Sequence, residues 1–381
     1  MTFEQLPTPC YVVDENLIEQ NLQILQGVME RTGAKILLAQ KAFSMYRLYP
    51  LIGKYLAGAT ASGLYEARLC AEEMPEKENH IFSPAYREKD FDEILSYSDH
   101  LVFNSVAQLK KFGPRAKQAG KQIGLRINPQ CSTQEGHAIY DPCAPGSRLG
   151  VTLSMLEGEV DFKTSVLPLL DGLHFHTLCE QDSDDLETTL NAVEEKFGKY
   201  LKSMKWINFG GGHHISRPGY DIPRLEKCIH HMKDIYGLQV YLEPGEAVAL
   251  NAGFLVTEVL ELIDNEMQIA ILDTSAACHM PDVLEMPYRP PLKDSKEAGE
   301  YPYTYRLGGP TCLAGDIIGE YSFEHPLEIG QRLVFEDMAI YSMVKNNTFN
   351  GMPLPAIALL KKDGDCEIVK QFGYDDFKMR L

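Results

Sequence analysis

The chain of 381 residues is poor in several things at once. It has one tryptophan, and its nine cysteines are scattered singly with no Cys-x-x-Cys pair. An odd number of isolated cysteines argues against a disulfide framework and against a cysteine-based zinc site, and it favours a reducing cytoplasm. No stretch approaches the ~20 apolar residues that a membrane span requires. The opening MTFEQLPTPCYVV has no basic region followed by an apolar run, so no secretory leader is expected. Cations are short as well: 36 Lys and Arg against 54 Asp and Glu leave a net charge of −18. A surface of that sign repels nucleic acid and anionic membranes. A cleft of that sign would concentrate a cationic small molecule.

What is present is an ordinary globular composition, 44% hydrophobic, arranged in two rhythms. Up to about residue 245, short apolar runs alternate with longer amphipathic segments. Residues 35–41, 57–62, 80–84, 99–104, 122–128, 171–177, 204–210 and 238–244 read as strands, with helical patterns between most of them. SVAQLKKFGPRAKQAG, for instance, opens on Ser105 as an N-cap. Eight strands alternating with helices predict an α/β fold, a (β/α)8 TIM-type barrel over residues 30–250. The connection 129–170 is too long for a simple loop and predicts a functional insertion. After about residue 250, GFLVTEVLELI, MQIAILDTS, QRLVFEDMAIYSMV, AIALLKK and CEIVKQFG are separated by Gly, Pro and Asp turns, without helical patterns. They predict a C-terminal all-β domain, a sandwich or barrel of residues 251–381, which residues 1–29 would join through the strand-like TPCYVVD. Residues 287–303, rich in proline and charge, read as a loop.

A barrel of this kind carries its chemistry at the C-terminal ends of its strands. Those positions hold Lys41, His176, the triplet Gly210, Gly211 and Gly212, and Glu243. A lone lysine closing the run KILLAQ either snorkels to solvent or sits desolvated as a reactive, imine-forming amine. The glycines of NFGGGHH either make a plain turn or let backbone amides cradle an anion without a lysine. In GLHFHTLCEQ a period of two puts His174 and His176 on one face. With His213 and His214 they form an alternative zinc set, but the cysteines nearby lack ligand spacing and a stacking role explains His176 equally well. No metal is expected, and His174 reads as a satisfied interior residue. In YLEPGEAV, Glu243 and Glu246 are either two solvated turn carboxylates or a working pair. In the second reading one holds a heterocyclic nitrogen protonated and the other faces a cationic substrate.

A barrel-entry lysine, HFH, GGG and EPG in this order, followed by GPTC and FEDMAIYS…NTFNG, resembles the pyridoxal-phosphate decarboxylases of the alanine racemase fold type (fold type III). That family includes the ornithine, diaminopimelate and arginine decarboxylases. The segments NFGGGHHI, YLEPGEAV, DTSAACHMPDVLEMPYRP, CLAGD and VKNNTFNG resemble its branch acting on carboxynorspermidine and carboxyspermidine. The likeness runs end to end and implies pyridoxal 5'-phosphate as cofactor and a place in polyamine biosynthesis. It implies that Lys41 holds the cofactor, that His176 stacks on its ring, and that Glu243 pairs with its ring nitrogen. Gly210, Gly211 and Gly212 would take the phosphate, with Tyr341 reaching it too. Cys312 in GPTC would protonate the carbanion in the neighbouring copy of a homodimer with shared active sites, and Phe349 would lie at that interface.

Departures from the family pattern bear on the substrate. Many relatives carry an arginine where this chain has Glu246, and a small serine-type turn where it has Cys179. HMPDVLEMPYRP replaces the aspartate-containing loop that selects short diamines. Glu246, Asp282, His279 and Asp316 are therefore expected to bind a cationic carboxypolyamine, decarboxylated to norspermidine or spermidine. Arg148 in SRLG occupies a position of a basic residue near the active site, its role left open. A same-fold rival is decarboxylation of arginine or diaminopimelate. A rival of another class is a non-catalytic cofactor-binding regulator, which intact Lys41, Glu243 and Cys312 disfavour.

Overall fold

The computed structural model describes residues 3–134 and 141–381. The chain forms two compact units: Asn21–Val248, and Ala249–Leu381 together with the N-terminal segment up to Gln20. The division expected at residues 29 and 30 falls inside the helix Glu15–Thr32. Strand β1 (Cys10–Asp14) belongs to the second unit. The first is a closed parallel barrel of β2 (Lys35–Ala39), β3 (Gly58–Ala61), β4 (Glu78–Phe82), β5 (His100–Phe103), β6 (Gln122–Arg126), β7 (Gly172–His174), β8 (Trp206–Asn208) and β9 (Gln239–Leu242). All eight lie within the runs read as strands, or overlap them, because each is a short buried apolar stretch bounded by turn residues. The helix Val106–Gln118 begins where expected: Ser105 Oγ accepts from the Gln108 amide at 3.2 Å.

The N-terminal ends of the strands form the barrel floor. Trp206 fills it, and glycines stand opposite because nothing larger fits. A β-carbon on Gly172 would lie 2.0 Å from the Trp206 ring and one on Gly124 2.4 Å from it. Around it the floor is polar. His80 and His100 stack with centroids 3.9 Å apart at 11°, and Glu78 accepts from Lys35 and meets His80 Nε2 at 3.1 Å. Glu78, His80 and His100 bring potential ligand atoms close together, but two parallel stacked imidazoles aim their in-plane lone pairs side by side rather than at one ion. The connection between β6 and β7 is the expected insertion. Residues 135–140 of it lie outside the described residues, and Arg148 and Leu149 from its later part line the cavity at the other end of the barrel.

The second unit is a mixed sheet of β1, β10 (Gly253–Asp264), β11 (Gln268–Leu272), β12 (Tyr303–Gly308), β13 (Ile317–Phe323), β14 (Arg332–Glu336), β15 (Ala356–Leu360) and β16 (Cys366–Lys370). Its order is β13-β12-β11-β10-β1-β15-β16, with β14 also on β10. Alternation along β1 feeds both faces: Tyr11 packs with Leu255, Val259 and Phe335, whereas Cys10 and Val12 pack with Val256 and Ala358. Two features correct the expectation. Strands β12 and β13 were not among the runs read as strands, and short helices at Ala276–His279, Asp282–Glu285 and Tyr374–Lys378 interrupt a region expected to have none. Among the described residues no helix is long and apolar enough to cross a membrane.

Candidate active site

At the C-terminal ends of the barrel strands lies a cavity of about 250 Å³ lined by Lys41, Arg126, Arg148, His174, His176 and Glu243, among others. Each arrives there by simple strand geometry. Beyond β2, Gln40 is buried, its side chain held at 3.0 Å by Tyr49 Oη from the helix Tyr49–Tyr55. Lys41, one residue on, opens into the cavity. Although its amine is accessible from that side, the crowding of protein around it depresses its pKa, and Arg126 adds to the effect against Glu243 and Glu246. The direction favours the uncharged, nucleophilic amine.

On the next strands the registry does the work. Arg126 of β6 pairs with His174 of β7, and His174 with Asn208 of β8, so three polar side chains share one level of the barrel. Glu243, just past β9, completes it. His174 Nε2 lies 3.2 Å from Glu243 Oε2, and Asn208 Nδ2 donates to Oε1 at 2.8 Å. Burial alone would raise the Glu243 carboxyl, but its contacts with His174 and Asn208 outweigh it and hold it below the usual carboxylate range. Arg126 is held by burial at about 10, its guanidinium over the Phe82 ring at 4.7 Å and donating to the His176 carbonyl at 3.3 Å.

The glycine turn closes this end. Gly210 and Gly212 have φ of +73° and +81°, a conformation costly for residues with a β-carbon. The expectation that all three amides face an anion needs correcting. The Gly210 amide donates to Asn208 Oδ1 at 2.8 Å and the Gly211 amide to His176 Nδ1 at 3.1 Å. Beyond them, His214 Nε2 meets Glu246 Oε2 at 3.2 Å, both residues being buried.

The remaining expected residues belong to the sheet unit. Cys312 is exposed on the GPTC loop, its amide bonded to Asn350 Oδ1 at 2.7 Å. Asp316 is buried and organises that loop, accepting from Thr311 Oγ1 at 2.7 Å and from Ser275 Oγ at 3.0 Å. His279 uses both ring nitrogens, Nδ1 with Thr274 Oγ1 and Nε2 with the Pro353 carbonyl, each at 3.0 Å. Asp282 and Glu285 both bond to Lys345. As substrate ligands, Asp316 and His279 are thus side chains already satisfied within their own unit, and Asp282 already has an ammonium partner. Tyr341 has φ of +49° and is partly buried, and Phe349 is exposed.

Arg126 and Asn208 drew no role from the sequence, His174 read as a satisfied interior residue, and His214 entered only an alternative zinc set. The available signal was that all four stand in strands or turns assigned to the active-site end.

A family model for "Pyridoxal-dependent decarboxylase, C-terminal sheet domain" matches residues 10–339. The chain belongs to the pyridoxal-dependent decarboxylases. It is 43% identical, over the whole of both chains, to a carboxynorspermidine/carboxyspermidine decarboxylase of Campylobacter jejuni subsp. jejuni. It is 42% identical to a carboxyaminopropylagmatine decarboxylase of Synechocystis sp., over 99% of this chain and 96% of that one. Among solved structures it superposes with a TM-score of 0.90 on carboxynorspermidine decarboxylase complexed with norspermidine from Campylobacter jejuni, at 42% identity, covering 99% of this chain and all of that one. The fold is the alanine racemase-like one of such decarboxylases, and the chain is a pyridoxal-phosphate-dependent carboxy-lyase. Its residues fit the cofactor: one cavity offers a lysine amine, an imidazole and an ionised carboxylate, beside a turn in which β-carbons would strike the Phe175, Glu243 and Leu178 carbonyls at 2.5, 2.5 and 2.1 Å.

Proposed function

We propose that this decarboxylase removes the carboxylate next to the amine of carboxynorspermidine and carboxyspermidine, yielding norspermidine and spermidine in the cytoplasm. The observation that carries the reading is the convergence of Lys41, its amine eased toward the neutral form, and Glu243, held ionised, in one cavity. Pyridoxal phosphate, when bound, supplies an electron sink for the pair left behind by CO₂, most effectively with its ring nitrogen protonated. Lys41 holds the cofactor, Glu243 keeps the proton on that nitrogen, and His176 packs against the ring. The Gly212 amide and Tyr341 take the phosphate, while Gly210 and Gly211 shape the turn. Arg148 stands at the cavity mouth.

Cys312 supplies the proton to the decarboxylated carbon from a neighbouring copy. Its exposure, together with that of Leu313 and Phe349, supports a homodimer with shared sites. Glu246, with His214 beside it, faces the cationic chain of the substrate, and the net charge of −18 favours such a substrate at encounter. Asp282 would serve by exchanging Lys345 for a substrate amine. His279 and Asp316 shape the loops that present Asp282 and Cys312. A second reading, decarboxylation of carboxyaminopropylagmatine, is favoured by an identity to that relative almost equal to the first. The cofactor assignment is tested by borohydride reduction of the holoenzyme and peptide mass mapping. A phosphopyridoxyl group on Lys41 is expected, and one on any other lysine would overturn it.

A further inference from the structure

We propose that His174 is a positioning residue for the reaction: its Nε2–H fixes Glu243 toward the cofactor and leaves the whole carboxylate charge for the ring nitrogen. The inference rests on the reading that Glu243 meets that nitrogen, and it adds what holds Glu243 there.

Three observations converge. First, both carboxylate oxygens of Glu243 are taken by side chains from neighbouring strands, His174 at 3.2 Å and Asn208 at 2.8 Å. A carboxylate gripped at both oxygens cannot swing, and Asn208 also accepts from the Gly210 amide at 2.8 Å, tying the grip to the glycine turn. Second, the His174 ring is itself immobile: it is 1% exposed and stacks on Phe82 at 5.6 Å and 18°, and Phe82 in turn carries the Arg126 guanidinium at 4.7 Å. Third, among the described residues His174 Nδ1 is buried with no hydrogen-bond partner. A proton on Nδ1 would have no acceptor, so the one ring proton belongs on Nε2, facing Glu243.

The charge state follows. Were His174 an imidazolium, it would neutralise Glu243 and remove the reason for the ring nitrogen to stay protonated. Burial first of all, with Arg126 adding to it, keeps the imidazole neutral against the pull of Glu243. The pair is therefore a hydrogen bond rather than an ion pair, and a full negative charge faces the cavity. As a packing residue alone His174 would be a poor choice, since an apolar side chain fills the same space without an orphaned nitrogen.

The test uses holoenzyme carrying cofactor labelled with ¹⁵N in the ring, with His174→Leu, His174→Gln and Glu243→Gln beside the wild type. The Gln amide nitrogen reaches roughly where Nε2 stands, and Leu removes the donor. We expect His174→Leu to shift the ring ¹⁵N resonance toward the unprotonated form. It should lower kcat on the order of tenfold, as for other residues that orient a functional group, with KM within about twofold. His174→Gln should restore both. Unchanged resonance and kcat in the Leu variant, or a Gln variant as impaired as Leu at equal cofactor content, would overturn the proposal. An unchanged ring resonance in Glu243→Gln would remove the underlying reading of Glu243 and the proposal with it. Should the variants not fold, the imidazole resonances of wild-type His174 decide: a neutral Nε2–H ring near pH 7 supports the proposal, an imidazolium overturns it.

Discussion

The Gly211 amide donates a hydrogen bond to Nδ1 of His176 at 3.1 Å, joining the turn after β8 to the imidazole after β7. The bond fixes the tautomer, since the accepting nitrogen carries no proton, and burial depresses the His176 pKa well below its ordinary value in the same sense. A β-carbon on Gly211 would lie 2.5 Å from the Glu243 carbonyl and 3.2 Å from the His176 ring. Gly211→Ala should therefore displace the turn, the imidazole and the Glu243 backbone together. Titration of apo-protein with cofactor, followed by absorbance, should show affinity weaker by at least about tenfold, as when a residue that orients a ligand group is lost. Wild-type affinity would contradict the assignment of this turn to the cofactor.

Glu246 replaces the cation that many relatives place after EPG, and its partner in the structure is His214. A carboxylate that binds the substrate's chain equally in the ground and transition states affects KM rather than kcat. Glu246→Gln should raise KM for a carboxypolyamine by about threefold to tenfold and change kcat by less. An unchanged KM would take Glu246 out of the substrate site.

Cys312 and Lys41 lie in different units of one chain. If Cys312 works in a neighbouring copy, mixing inactive Lys41→Ala with inactive Cys312→Ala protein should regenerate sites with both residues intact. Activity approaching a quarter of wild type is expected from random pairing of equal amounts, by symmetry of the dimer. No recovery despite demonstrated subunit exchange would contradict shared sites.

Burial holds His100, His213 and His279 neutral, at about 3, about 4 and about 4 against an ordinary 6.5. Their folded-state values lie below the unfolded ones, so the stability they confer is complete above about pH 6.5 and is lost as pH falls toward 4. Within that window each costs about 1.4 kcal/mol per pH unit, because the unfolded chain takes up a proton that the folded one refuses. Glu78, at about 2, and Glu243, held below its ordinary value, add losses of the same sign at still lower pH. Thermal unfolding should show a Tm lower by several degrees near pH 5 than near pH 7.5. Equal values would contradict neutral burial of these rings.

The barrel was legible because eight buried parallel strands announce themselves as short apolar runs, and Lys41, His176 and Glu243 because they stand at strand ends. Strands β12 and β13 were not, since TYR in β12 and GEYS in β13 interleave polar with aromatic residues and follow a stretch of proline and charge. They are held instead by burial of Tyr305, Leu307, Ile318, Tyr321 and Phe323 in the core of the unit, with Arg306 and Glu320 paired across the ladder at 2.6 Å. The grouping of His174, read only as a satisfied interior residue, with Asn208 and Arg126 was illegible for another reason. A polar residue in a strand takes its meaning from the strand beside it, and only the registry of β6, β7 and β8 sets these three on one level around Glu243. The departure at Glu246 was visible, but its pairing with His214 was not, because the two are 32 residues apart.

The most direct measurement is product identification by mass spectrometry after incubating the purified holoenzyme separately with carboxynorspermidine, carboxyspermidine, carboxyaminopropylagmatine, diaminopimelate, arginine and ornithine. Norspermidine and spermidine from the first two, with no product from the three amino acids, is the expected result. Product from carboxyaminopropylagmatine alone would select the second reading. Product only from diaminopimelate, arginine or ornithine would contradict the carboxypolyamine assignment and the substrate role of Glu246.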